Sequence, residues 1–170
     1  LVVVGPAIGD NALALTPLVE RLGVPTVNWS GAERARGEHM FHLQVGSHED
    51  ESVVLARHLA AGGAQRLGVV VDRSPIGRRP LEYLVAEADV LGIEVATTAT
   101  IAPLAEHAEP EVAAVVGAGV DAVVYLGLGL SAPAVARALV AAGWDGPRAM
   151  NTAGMRGHQP GWSANIEGWT

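Results

Sequence analysis

The feature that most restricts this chain is a unit that recurs along it: a short apolar run, a loop, an amphipathic stretch, a glycine, then the next apolar run. Apolar runs at Leu1–Gly5, Pro25–Trp29, Met40–Gln44, Leu67–Val71, Ile93–Thr97, Ala122–Leu126 and Arg148–Asn151 read as strands. The continuity of Leu1–Gly5 and Leu67–Val71 predicts strands buried on both faces. Between them, Leu15, Leu18, Val19 and Leu22 recur at helical spacing from about Asp10, with Pro17 expected to kink the segment. Leu81, Leu84, Val85, Ala88 and Leu91 form the clearest apolar stripe. Further helices are expected to about Ala61, over Glu111–Gly117 and over Ala132–Ala142. Ser47 and Asp50 carry a capping-box pattern for the helix that follows them. Gly23, Gly62, Gly92, Gly119 and Gly143 stand where helices end. Thr98–Pro110 and Thr152–Ser163 read as loops, and Ile166–Trp169 has strand character.

Strands alternating with helices imply right-handed crossovers and parallel sheets with helices on both faces, the doubly wound α/β class. Whether one sheet holds every strand, or two sheets exchange at a crossing near Gln44–Ser47, the pattern leaves open.

Composition removes several functions. No apolar run among the 170 residues approaches the roughly 20 that a membrane-spanning helix needs. The net charge is −7, and the 11 basic residues are arginines scattered outside Arg78–Arg79. Phosphate backbones need clustered cations, so nucleic acid is not an expected partner. Cysteine is absent, which excludes disulfides, thiolate nucleophiles and cysteine-based zinc sites. The chain opens at Leu1, inside an apolar run, and reads as processed or truncated, with any targeting segment out of view.

In doubly wound sheets, ligands collect beyond the carboxyl ends of strands. The loops to consider are therefore Pro6–Asn11, Ser30–Gly37, Asp72–Gly77, Gly127–Ser131 and Thr152–His158. Gly127–Ala132 matches the dinucleotide fingerprint formally, but no acid follows at the next strand end, so a tight turn is the preferred reading. Gly5–Asp10 lacks the Lys-Ser/Thr of a phosphate loop; Asp10 is either a helix N-cap or an exposed carboxylate beside the Gly9 amide. The six histidines show no ligand spacing and read as surface residues, leaving no metal and no cofactor assigned. No serine sits in a GxSxG elbow, so no catalytic residue is assigned and the chain is not read as an enzyme. Trp29, at a strand end in an aromatic-poor chain, is either a core plug or a ligand-facing wall.

The ordered segments VVVGPAIGDNALALTPLVERLGVPTVNWSGA, HMFHLQVGSHEDESVVLARHLA, GVVVDRSPIGR, LGIEVATTATI, GVDAVVYLGLGLSAPAVARALVAAGW and IEGWT resemble the type-I periplasmic binding proteins of branched-chain amino acid and related uptake systems. The resemblance implies two lobes, with residues 1–45 the later part of lobe 1 and 46–170 most of lobe 2. It implies an extracytoplasmic solute-binding component of an ABC-type system, with a small-molecule ligand between the lobes and a membrane permease as partner. By the same resemblance, Gly9, Asp10, Ser30 and Ala32 face a ligand from lobe 1, and Trp29, from its place at the strand end just before Ser30, is counted with them. Ile76, Leu128 and Ala153 face it from lobe 2 by resemblance, and Thr152, in the last strand-end loop, is counted with them.

This chain departs from the family's pattern where an α-amino acid is recognised. Ile76 stands where an aromatic is common, Ala153 where an acid pairs the ammonium, and Gly9 where a hydroxyl residue is common. His42 replaces a usual arginine. The expected solute is therefore amino acid-like or a carboxylate, with an aromatic or short-chain acid fitting the substitutions best. Two other readings stand beside this one: a cytoplasmic ligand-sensing regulator of the same fold, and a nucleotide-binding α/β enzyme.

Overall fold

In the computed structural model, which describes every residue except 33, 45 and 156–165, the strands fall into two parallel sheets. The chain divides into two compact units, Leu1–Asp50 and Glu51–Thr170.

Unit 1 contains β1 (Val3–Val4), α1 (Gly9–Leu22), β2 (Thr26–Asn28) and β3 (Met40–His42), with sheet order β1-β2-β3. The strands are shorter than the apolar runs predict. Val3 pairs with Thr26, and Thr26 pairs in turn with Met40. The expectation that the first strand is buried on both faces fails here: Val4 is 68% exposed and Leu1 and Val2 are also open. β1 has a sheet neighbour on one side only among the described residues, so its apolar run lacks a cover. Helix α1 runs through Pro17 without a break. It buries Gly9, Ala12 and Val19, while Leu18 and Leu22 of the predicted stripe are exposed.

At the boundary between units, α2 (His48–Ala61) starts as its capping box predicts. The Asp50 amide donates to Ser47 Oγ at 3.1 Å, and the Ser47 amide donates to Asp50 Oδ2 at 2.9 Å. Two donors that the helix leaves unpaired are thereby satisfied.

Unit 2 comprises most of α2, then β4 (Arg66–Asp72), α3 (Pro75–Leu91), β5 (Glu94–Ile101), α4 (Glu109–Gly117), β6 (Ala122–Leu126), α5 (Ala132–Ala141), β7 (Arg148–Met150) and the helical turn α6 (Thr152–Met155). The sheet order is β5-β4-β6-β7, all parallel. Alternation along the strands builds two cores. Val70, Val123 and Tyr125 lie on the face covered by α4 and α5. Leu67, Val69, Val124 and Leu126 lie on the face that packs Ala56 and Leu59 of α2 and Leu84 and Ala88 of α3. The two-faced burial expected of Leu67–Val71 is found.

Two boundaries shift for physical reasons. β5 continues past Thr97 to Ile101, inside the expected loop, because Thr98 to Ile101 stay in register with Val69 to Asp72. The stripe on α3 rotates: Gly77, Pro80, Leu84 and Ala88 are buried, whereas Val85 is 43% exposed and Leu91 is also open. The strand expected over Ile166–Trp169 reduces to one parallel bridge, Trp169 to Arg148. Residues 156–163 of the expected Thr152–Ser163 loop, His158 among them, lie outside the described residues. No helix among the described residues is long and apolar enough to cross a membrane.

Candidate functional site

Unit 1 brings its five candidate residues together at the carboxyl ends of β1 and β2. Gly9 opens α1 and is buried. A Cβ added there would lie 3.2 Å from the Ala32 Cβ, so the helix start and the loop after β2 are in close contact. The N-cap is Ile8 and no side chain caps the helix, so the reading of Asp10 as N-cap is corrected. Asp10 lies in the first turn with its side chain exposed, and its amide is one of the donors a helix start leaves open. Trp29 is 49% exposed, which decides against a core plug; its amide donates to the Pro6 carbonyl at 3.1 Å.

Ser30 is fully buried, and its hydroxyl donates to Asn28 Oδ1 at 2.7 Å. Its amide donates to the same oxygen, while Asn28 Nδ2 reaches the Ala35 carbonyl at 2.7 Å. Asn28 therefore pins the whole turn, and the one proton of the Ser30 hydroxyl is already committed. Sequence reasoning missed Asn28; a lone amide closing an apolar strand was the available signal.

Two histidines flank the same turn, and neither is a simple surface residue as expected. His42 shares a 2.6 Å hydrogen bond through Nε2 with the Ser30 carbonyl. His48, only 5% exposed, lays its ring against Gly31; a Cβ at Gly31 would come within 2.3 Å of His48 Nε2. Only glycine leaves room for that ring.

A third feature of unit 1 is a brace. Glu20, near the end of α1, accepts from the amides of Glu38 (3.1 Å), His39 (2.8 Å) and Met40 (3.0 Å). The His39 amide above all, helped by the His39 ring and by the Met40 and Glu38 amides, outweighs partial desolvation and holds this carboxyl below the usual range. Glu20, Glu38 and His39 place ligating atoms within 4.8 Å of one another, but the Glu20 oxygens are already spent on three amides.

In unit 2, β4 departs to α3 on one side of the sheet and its other neighbour, β6, feeds α5. The strand order thus reverses at the carboxyl end of β4. Asp72 occupies that point, fully buried. Its Oδ1 accepts from the Ser74 amide at 2.9 Å and from the Ser74 hydroxyl; its Oδ2 accepts from the Leu128 amide at 2.7 Å. Ser74 in turn caps α3 by accepting from the Gly77 amide at 3.2 Å. The predicted Asp72–Gly77 loop is accordingly shorter, and Ile76 lies half-buried in the first turn of α3.

Gly127 must be glycine, because a Cβ there would come within 2.5 Å of the Tyr125 hydroxyl and 2.6 Å of Asp72 Oδ2. Burial first, then the Asp72 charge, push the Tyr125 hydroxyl well above its ordinary range. It stays neutral and donates to the Leu128 carbonyl at 2.8 Å. The Gly127 amide points to Asn151 Oδ1 at 3.4 Å. With Gly127 and Leu128 amides engaged by side chains of the unit itself, the fingerprint-like turn has lost two donors that a pyrophosphate would need.

Thr152 is exposed and is held by Glu51: its amide donates to Oε2 at 3.1 Å and its hydroxyl to Oε1. Ala153 is buried in α6. Asn151 was not singled out from the sequence, yet it joins the Gly127 turn to α6 by also accepting from the Gly154 amide at 3.1 Å. Ile76 in the first turn of α3, Leu128 in the turn after β6, and Thr152 and Ala153 in α6 thus follow the carboxyl ends of β4, β6 and β7, in segments tied by Asp72 and Asn151.

Known proteins share this fold. The family model described as periplasmic binding protein matches residues 1–164. No curated protein matches the chain. Among solved structures, a periplasmic binding protein type 1 from Bordetella pertussis Tohama I aligns with a TM-score of 0.84 at 22% identity, over 98% of this chain and 47% of that one. A solute binding protein of an ABC transporter from Rhodopseudomonas palustris BisB5, in complex with 3,4-dihydroxy benzoic acid, gives 0.78 at 18% identity, over 91% and 44%. A leucine binding protein, LivK, from Thermotoga maritima MSB8 gives 0.78 at 17% identity, over 88% and 44%. The chain spans less than half the length of each of these three. With parallel sheets, strand-end loops and a family match over residues 1–164, this chain belongs to the type-I periplasmic binding proteins.

Proposed function

We propose that this protein acts as the extracytoplasmic solute-binding component of an ABC-type uptake system, delivering a small carboxylate to a membrane permease. Residues 1–45 then serve as the later part of lobe 1 and 46–170 as most of lobe 2. The protein binds and releases without making or breaking a bond.

The observation that carries the choice of solute is the uncapped start of α1. A helix start leaves amides without intrahelical partners and favours negative charge. At Gly9 and Asp10 no side chain takes those amides. Ala32 lies against Gly9, and the Ser30 hydroxyl is committed elsewhere. Main-chain amides therefore hold the carboxylate, and the half-exposed Trp29 ring offers an apolar wall beside them. In unit 2, Ile76 and Ala153 supply neither an aromatic hydroxyl nor an acid. A solute with an α-ammonium group finds no counter-charge at Ala153, while an aromatic or short-chain acid loses nothing there. Among the structural relatives, one is a complex with a dihydroxybenzoic acid and another is a leucine binding protein, so both solute classes occur on this fold.

Calorimetric titration with benzoate, pentanoate and leucine separates the classes. Saturable binding of the first two, with leucine weaker, is the expected result. Tight leucine binding with both simple carboxylates silent would overturn the assignment.

A further inference from the structure

The turn that follows β2, wholly within unit 1, has its acceptors occupied and two of its donors open. The Ser30 carbonyl accepts from His42 Nε2 at 2.6 Å, the Gly31 carbonyl from the His48 amide at 3.0 Å, and the Ala32 carbonyl from the Ala35 amide at 3.1 Å. Asn28 Oδ1 is filled by the Ser30 amide and hydroxyl. The amides of Gly31 and Ala32 have no hydrogen-bond partner among the described residues, although Gly31 is buried. Buried main-chain N–H groups are as a rule paired, and successive open ones in a turn make a seat for an anion.

His42 decides which way this turn presents itself. A carbonyl only accepts, so His42 Nε2 carries a proton, and the donor is present whether the ring is neutral or charged. The Ser30–Gly31 peptide is trans and sets its N–H opposite its C=O. β2 lies between β1 and β3, and His42 belongs to β3. With the Ser30 carbonyl drawn toward β3, the Gly31 amide is turned toward the β1 side, where α1 begins and Gly9 lies against Ala32. Without that grip the peptide is free to turn over, because a glycine on its far side tolerates the change in φ. It would then offer an acceptor where it now offers a donor.

We infer that His42 is a specificity-determining residue of unit 1: by holding the Ser30 carbonyl it keeps the Gly31 amide facing the start of α1, so that the turn accepts an anion and rejects an ammonium. The inference rests on the carboxylate-binding reading and names a residue that enforces it. His42 acts through the peptide and does not itself touch the solute. Its ring is half-buried and borders a hollow of about 370 Å³ shared with Arg36 and Phe41, so the side chain can be exchanged without opening the core.

Calorimetry on the full chain with benzoate and leucine tests this. In His42→Leu the donor is gone, and benzoate affinity should fall about tenfold, the worth of one good hydrogen bond, while leucine holds or gains. His42→Gln places an N–H donor the same number of bonds from the backbone and should keep benzoate affinity within about threefold of the unaltered protein. In the unaltered protein, benzoate should shift the amide resonances of Gly31 and Ala32, a readout that does not depend on how the variants fold. Equal losses for benzoate and leucine, no rescue by glutamine, or Gly31 and Ala32 resonances that stay still while benzoate binds would each sink the inference and leave the carboxylate reading standing. If neither benzoate nor pentanoate binds the unaltered protein, both fall.

Discussion

The two units follow the same rule of sequence, strand then helix then glycine, and arrive at different degrees of burial. In unit 2, β4 is enclosed on both sides and both faces, and Leu67, Val69, Val70 and Val71 are buried. In unit 1, the equally apolar β1 has β2 as its one strand neighbour among the described residues and Val4 is exposed, and Phe41 of β3 is 52% exposed. An apolar run thus specifies a strand, but only the elements laid over it decide whether the strand is core. The strand-end turns differ as well. In unit 2, a buried carboxylate and an amide bind the loops to each other; in unit 1, Asn28 holds the Ser30 turn while the start of α1 stays uncapped.

The largest expected effect tests the contrast in burial. Leu84→Ala removes a fully buried side chain from the α3 face of unit 2 and should cost about 3 kcal/mol in denaturant unfolding. The matching deletion in unit 1, Val4→Ala, should change stability by no more than about 0.5 kcal/mol. Equal costs would break the comparison.

Next come the two glycines that admit a neighbour. Gly127→Ala should cost about 2 kcal/mol, because the Tyr125 hydroxyl and the Asp72 carboxylate are both held by hydrogen bonds and cannot retreat. Gly31→Ala should cost less, about 1 kcal/mol, since its obstacle is the ring of one side chain, His48. Adding His48→Ala to Gly31→Ala should then recover part of the loss. A double-mutant cycle showing strict additivity would rule out that contact as the cause.

The smallest effect is a pH dependence in unit 1. The Glu20 carboxyl is held below its ordinary range when folded, so its contribution is complete above the unfolded value, about 4.3, and is lost as pH falls through the folded one. Amide hydrogen exchange at Glu38, His39 and Met40 should therefore accelerate in acid, relative to unit 2, once intrinsic exchange is accounted for. Glu20→Gln should remove that acid response. Acceleration that is uniform across both units would count against the brace.

Much of the architecture was legible because periodicity and punctuation are local properties. The capping box at Ser47–Asp50, the glycine stop at Gly92 and the β6 boundaries all follow from residues adjacent in sequence. The candidate site was legible only as a set of loops. Gly9 and Ala32 were named separately, but their contact depends on how α1 and the turn after β2 meet. Asp72, 56 positions from Leu128, could be seen as a strand-end acid but not as the group that joins two loops. Asn28 and Asn151 were passed over because an amide in a sequence announces nothing about what its two ends will touch.

By itself, then, the sequence determined the class of fold and the order of its elements, since both follow from hydrophobic period and strand-helix alternation. The tertiary structure decided which apolar runs become core and which polar side chains, such as Asp72 and Asn28, are already spent. Those outcomes depend on contacts between residues far apart in the chain, and a hydrogen bond is committed only when its partner arrives.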